Sequence, residues 1–225
     1  MKEFEKGFIE LATDFNVLRF GEFKLKSGRI SPYFFNAGQF NTGKAIKTVG
    51  QLYSQKILDS KVEFDLLFGP AYKGIPLVTA VSSALSDHKD CQFMYDRKEV
   101  KDHGEGGNLV GATAEEIKGK RILIVDDVIT AGTAIKQSVD VIVKAGGIPV
   151  GVVVAIDRQE VGSNNSAGEQ ERTSAVMDIQ KTLNIPVYSI VKLDSIIEYI
   201  EGGYGGEKYV AYLEKIREYR RVFGV

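Results

Sequence analysis

Apolar and polar positions follow two rhythms along this chain, and each rhythm predicts a different kind of element. Phe4, Phe8, Leu11, Ala12 and Phe15 recur at helical spacing and predict an amphipathic helix over residues 3–15. Strand-like segments follow at Phe20–Leu25 and Tyr33–Phe35, joined through Lys26-Ser27-Gly28-Arg29. A helix over about 43–58 leads into a strand at Phe64–Phe68, which ends in Gly69-Pro70-Ala71-Tyr72-Lys73-Gly74. Pro76 suits the first turn of the next helix, which reaches about Leu85. Gln92–Tyr95 reads as a short strand and the polar, glycine-rich 96–108 as a loop. Ile122 to Val125 is an unbroken branched apolar run, as expected of a strand buried on both faces. The helix over 133–144 is given a buried face of Ile135, Val139, Ile142 and Val143, and it stops at Gly146-Gly147. A further strand spans Pro149–Ile156, residues 159–172 read as a polar surface loop, and tail helices are expected at about 194–201 and 207–221.

Alternation of strand and helix from 64 to 156 predicts an α/β fold: a central parallel sheet with right-handed crossovers, flanked by helices. Residues 1–40 and the tail helices read as additions to that core, and 1–225 as a single domain. Ligands of such sheets bind beyond the carboxyl ends of the strands. Gly69–Gly74, Arg97–His103, Asp126–Ala134 and Arg158 all fall just after predicted strand ends. Four loops converging on one edge argue for a site more strongly than any single motif.

Composition narrows the class. A net charge of −1, with 26% charged residues, provides no basic field for nucleic acid. The one cysteine, Cys91, rules out an internal disulfide and suits a reducing, cytoplasmic setting. Met1-Lys2-Glu3-Phe4-Glu5-Lys6 contains acids, unlike a signal or transit peptide, and no apolar stretch approaches the length of a membrane span. The expectation is a cytoplasmic protein acting on small molecules, with no nucleic acid and no membrane partner.

The chemistry is concentrated in four segments. After the strand 122–125 come Asp126 and Asp127, then Val128-Ile129-Thr130-Ala131-Gly132-Thr133-Ala134 at the start of a helix. Such a small-residue turn leaves backbone N–H groups free to surround a phosphate. Two acids beside an anion site make sense if the ligand also offers hydroxyls, as a ribose does, or carries a divalent cation. The plainer reading, acids that only cap a helix, fits a lone Asp-Asp better than this full run. Arg97, Lys98, Lys101 and His103 lie within seven residues, followed by Gly104, Gly106 and Gly107. Cations suit a diphosphate, and the glycines suit a loop that closes over a reactive intermediate. Gly69–Gly74 offers a second anion nest with Lys73 beside it. In the fourth segment Lys26 sits in a glycine turn, and one of Phe34 and Phe35 can stack on a flat ring while the other packs inward, because strand side chains alternate.

Taken together these segments resemble the orotate phosphoribosyltransferases of the type I phosphoribosyltransferase family. The similarity runs from Phe8 to about Glu201 and includes Leu-Lys-Ser-Gly-Arg at 25–29, Ser-Pro-Tyr-Phe-Phe-Asn at 31–36, the 68–76 and 97–107 segments, the Asp126 run and Asp-Arg-Gln-Glu at 157–160. Val100 departs from the alanine common at its place. The resemblance implies the type I fold with a small N-terminal hood over the base, formed in part by residues 1–40. It also implies transfer of phosphoribosyl from 5-phosphoribosyl 1-diphosphate (PRPP) to N1 of orotate, with Mg²⁺ held mainly by PRPP and diphosphate and no direct metal ligand from the chain. By the same token Asp126 and Asp127 hold the ribose hydroxyls, Val128 to Ala134 wrap the 5′-phosphate, and Tyr72 and Lys73 hold diphosphate and Mg²⁺. Arg97, Lys98, Lys101 and His103 engage diphosphate, and Lys26 reaches PRPP and the base. Phe34, Phe35, Thr130 and Arg158 bind orotate, with a guanidinium able to grip its carboxylate through two hydrogen bonds. Lys101, His103, Asp126 and Asp127 form the catalytic set. A homodimer is implied, with the Lys101 loop reaching the partner's site, and the absence of room for a fused decarboxylase implies a stand-alone enzyme.

Two rivals are weighed against this. A purine-specific enzyme of the same fold would share the Asp126 run but not the Lys26 and Phe34-Phe35 segments. A nucleic-acid-binding PRPP sensor would need a basic surface, which a net charge of −1 does not provide.

Overall fold

In the computed structural model, which describes residues 1–25, 27–101, 107–162 and 172–225, the first apolar stripe forms helix α1 (Glu3–Asp14), with Phe8, Ile9, Leu11 and Ala12 buried. Strands β1 (Leu18–Lys24) and β2 (Ile30–Phe35) pair antiparallel as a small separate sheet. Helix α2 (Gly43–Ser60) begins at Thr42, whose hydroxyl accepts from the Ala45 N–H at 3.2 Å and satisfies a donor the helix itself cannot. There follow β3 (Leu66–Gly69), α3 (Gly74–Leu85), β4 (Phe93–Lys101), β5 (Gly107–Val110), α4 (Ala114–Ile117), β6 (Arg121–Val125) and α5 (Thr133–Lys144). The chain closes with β7 (Ile148–Asp157), α6 (Ala175–Leu183), β8 (Val187–Lys192), α7 (Leu193–Glu201) and α8 (Glu207–Phe223).

The main sheet has the order β5-β4-β3-β6-β7-β8, parallel throughout except for β5. Its central strands β3, β6 and β7 read as mainly apolar runs because both faces are covered, and alternation sends successive residues to opposite sides. Leu67, Leu123, Val125, Val153 and Ala155 join the core beneath α1, α2, α3, α7 and α8. Leu66, Phe68, Ile122, Ile124, Val152 and Val154 join the second core, with residues of α5 and α6. After β3 the chain passes through α3 to β4 on one side, whereas β6 lies on the other side of β3 and leads away to β7. Strand order therefore reverses between β3 and β6. Right-handed crossovers then put α3 and α5 on opposite faces, and a crevice opens where the two connections part. The loops leaving β3 and β6 are the ones that carry the predicted anion nests.

Several expectations need correction. The segment read as a loop from 96 begins as strand: β4 continues through Arg97 and Lys98 to Lys101 and turns back as β5. On α5 Val143 is 55% exposed, and the buried face is Ile135, Ser138 and Ile142. Ser138 can face inward because its hydroxyl donates to the Ala134 carbonyl at 2.9 Å. Residues 159–162 are no free surface loop, since Val161 N–H donates to the Phe223 carbonyl and Val225 N–H to that of Gln159. Strand β8 and helix α6 went unassigned in the sequence, the former because Val187–Lys192 is short and mixed in character.

Candidate active site

The loop after β6 is held from below. Asp126 N–H donates to the Val153 carbonyl and Ala155 N–H to that of Asp127, so the loop continues the β7 register. The buried Tyr53 of α2 donates its hydroxyl to the Asp126 carbonyl at 2.9 Å. Gly132 then turns with φ +74, and a Cβ there would lie 2.7 Å from Ile179 of α6. Glycine suits the left-handed backbone there, and a larger residue would also have to displace the end of the Ile179 side chain. No side chain caps the first turn of α5, so its N–H groups, with the positive end of the helix dipole, are left for an anion. Thr130, Ala131, Thr133 and Ala134 are exposed around this turn.

Asp126 and Asp127 are each 7% exposed. Asp126 Oδ1 accepts from the Asp127 N–H at 2.8 Å, and Asp127 Oδ1 from the Val128 N–H at 2.9 Å. Burial, and then the neighbouring Asp127, push the Asp126 carboxyl up to about 7. Lys73 answers Asp127, its Nζ lying 2.9 Å from Oδ2. The loops after β3 and β6 are thus joined by an ion pair. Within the β3–α3 loop, Gly69 packs so tightly that a Cβ would lie 2.4 Å from the Gly74 carbonyl. Asp96 of β4 accepts the Ala71 N–H at 2.6 Å, which pins the loop from the strand beside it. Tyr72 is 66% exposed, with Lys98 Nζ 5.2 Å from its ring centre. Lys98 therefore stands over the same loop as Lys73.

Lys26, His103 and the side chain of Lys101 lie outside the described residues. Phe34 and Phe35 separate as alternation requires. Phe35 packs inward against Phe8, ring centres 6.3 Å apart, while Phe34 faces Phe23 and Arg19. Arg158 meets the other face of β2, with its Nη2 3.3 Å from Ser31 Oγ and its guanidinium 4.7 Å from the centre of the Tyr33 ring. It is not free to grip a carboxylate along its Nε–Nη2 edge. Nε donates to Glu160 Oε1 at 2.9 Å, and Nη2 lies 2.8 Å from the same oxygen as an ion pair. Glu160, Asp96, Tyr53 and Tyr33 are the site residues that the sequence did not single out. Glu160 and Tyr33 carried a signal, as members of the Asp-Arg-Gln-Glu and Ser-Pro-Tyr-Phe-Phe-Asn runs.

The arrangement sets an uncapped helix start beside a pair of buried carboxylates, one of them ion-paired to Lys73 of the β3–α3 loop, with Lys98 close by. It suits a ligand with phosphates at both ends and hydroxyls in the middle. A profile described as the phosphoribosyl transferase domain matches residues 36–182. The chain is 49% identical over 227 residues to an orotate phosphoribosyltransferase of Saccharophagus degradans, covering 100% of both. It is 46% identical to one of Kluyveromyces lactis, covering 100% of this chain and 97% of that one. A crystal structure of orotate phosphoribosyltransferase from Francisella tularensis matches 97% of this chain and 100% of its own, at 42% identity and a TM-score of 0.82.

Proposed function

The chain belongs to the orotate phosphoribosyltransferases, and on that premise we propose that it transfers the phosphoribosyl group of PRPP to N1 of orotate, releasing diphosphate and orotidine 5′-monophosphate in pyrimidine synthesis. The observation that carries the reading is the Asp126–Ala134 loop: two buried carboxylates directly before an uncapped helix N-terminus, at the strand-order reversal.

In this reading the N–H groups from Val128 to Ala134 hold the 5′-phosphate, and Asp126 and Asp127 accept from the ribose hydroxyls. As the bond from C1 to diphosphate lengthens, positive charge gathers on the ribose and negative charge on the leaving group. The two carboxylates stand on the side where the first develops. Lys73 and Lys98 stand by the β3–α3 loop, where the second develops, and the family resemblance assigns Arg97, Lys101 and His103 to the same charge. No nucleophile from the protein is required; orientation, charge and exclusion of water do the work. Mg²⁺ would supply further charge on the diphosphate oxygens. The residues present fit a cation that arrives with the substrate, because the carboxylates lie beside the diphosphate nest. Arg158, Thr130 and the Phe34-Phe35 strand form the base side of the site, and the resemblance adds Lys26 to it. Residues 1–225 act as one domain, the 1–40 segment forming part of the hood. The working unit is a homodimer in which the Lys101 loop serves the partner's site, and the enzyme is cytoplasmic.

Diphosphate release from PRPP and Mg²⁺ should be followed with orotate, uracil, adenine and hypoxanthine in parallel. Efficient turnover is expected with orotate alone. Turnover of a purine in preference to orotate would refute the assignment.

A further inference from the structure

Glu160 lies two residues past Arg158 with 11% of its side chain exposed. Its Oε1 accepts from Nε of Arg158 at 2.9 Å and from the Tyr33 hydroxyl at 2.8 Å, and Nη2 of Arg158 lies 2.8 Å from the same oxygen as an ion pair. Its Oε2 accepts from the Tyr219 hydroxyl at 3.0 Å, and Arg29 Nη1 stands 4.0 Å away. Burial raises the pKa of Tyr33 well above the ordinary value and that of Tyr219 to about 12, so both hydroxyls stay donors. Four parts of the chain therefore meet at one carboxylate: the β1–β2 turn, β2, the end of β7, and α8. A buried carboxylate is costly unless its acceptor sites are filled, and here they are.

The consequence falls on Arg158. With Nε and Nη2 held by Glu160, Nη2 also near Ser31, and the Tyr33 ring against its face, the guanidinium has one orientation. Among the described residues, Nη1 is the nitrogen left without a partner. Resting on the assignment of Arg158 to the base, we propose that Glu160 is the positioning residue of the base subsite, fixing the Arg158 guanidinium so that Nη1 is presented to orotate. The C-terminal helix takes part through Tyr219, which makes α8 a support of base binding rather than a distant addition.

The test is a double-mutant cycle on the full chain, read as KM for orotate and KM for PRPP. Glu160→Ala should raise the orotate KM roughly tenfold, the scale of a charged hydrogen bond, and leave the PRPP KM within roughly twofold. Glu160→Gln, which keeps the shape and one acceptor, should fall between it and the wild type, and it carries the same cycle if the alanine variant does not fold. The double variant Arg158→Ala/Glu160→Ala should have the orotate KM of Arg158→Ala alone, because Glu160 acts only through Arg158. Additive effects in the double variant, or equal changes in both KM values, would overturn the inference in favour of a structural role. If Arg158→Ala raises the orotate KM while the Glu160 variants do not, only the positioning role fails. If Arg158→Ala itself leaves the orotate KM unchanged, the assignment of Arg158 to the base fails and takes the positioning role with it.

Discussion

Asp126→Asn should make the protein more stable and less active, by an amount the site geometry sets. The carboxyl is 7% exposed and flanked by Asp127, and its pKa stands at about 7 against an ordinary value of 3.8. A carboxyl whose pKa is higher folded than unfolded binds more protons in the folded chain between those two values. Stability therefore falls as pH rises from about 4 to about 7, by at most about 1.4 kcal/mol per pH unit. The whole loss is on the order of 4 kcal/mol at pH 8, present above pH 7 and absent below pH 4. Asparagine has the same shape, keeps an oxygen to accept the Asp127 N–H and has no charge to desolvate. Urea unfolding of both proteins at pH 4, 6 and 8, at one protein concentration, should show Asp126→Asn more stable by roughly 2–4 kcal/mol at pH 8 and level with the wild type at pH 4. Its kcat/KM for PRPP should fall, since an amide is a weaker acceptor for ribose hydroxyls. A variant no more stable than the wild type at pH 8, or equally stabilised at every pH, would refute the reasoning. The site would then not be storing destabilisation in this carboxyl for the sake of function.

Lys101→Ala should lower kcat by roughly 10²–10³-fold with a smaller change in the PRPP KM, because a charge aimed at departing diphosphate counts most in the transition state; unchanged turnover with only a raised KM would make the segment a binding element. Mixing Lys101→Ala subunits with Asp127→Ala subunits should restore activity, since one site of each heterodimer would hold both groups intact. Absence of recovery, with heterodimers verified by native mass spectrometry, would rule out donation across subunits.

Much of the site was legible because its signals are local. The run from Ile122 to Ala134 encodes a buried strand, two acids and a small-residue helix start within thirteen consecutive residues, and neither the strand nor the turn needs a distant partner to be read. Helix α5 was placed at its true ends by the same kind of pattern. Its inner face was not, because Ser138 buries itself through a bond to its own helix and Val143 lies beyond the stripe that faces the sheet. The basic segment was misread as a loop from 96 because charge and glycine suit loops, whereas pairing of Asp96 with Leu109 makes it a hairpin arm.

What the sequence by itself determined is the set of chemical groups and the strand-end loops that hold them, since hydrophobic period and turn chemistry act over a few residues. Tertiary structure alone decided which groups meet. Lys73 and Asp127 are 54 positions apart, Tyr33 and Glu160 127 apart, and Glu160 and Tyr219 59 apart. Lys73 meets Asp127 because β3 and β6 are neighbours in the sheet, and Glu160 meets Tyr33 and Tyr219 because β2, the segment after β7 and the C-terminal helix pack together. Arg158 shows the difference most directly. Its sequence context offers a free guanidinium for a carboxylate ligand, while the fold gives it an internal carboxylate first and, among the described residues, leaves only Nη1 without a partner. Burial is the reason: a cation 19% exposed must have its charge answered by the protein itself.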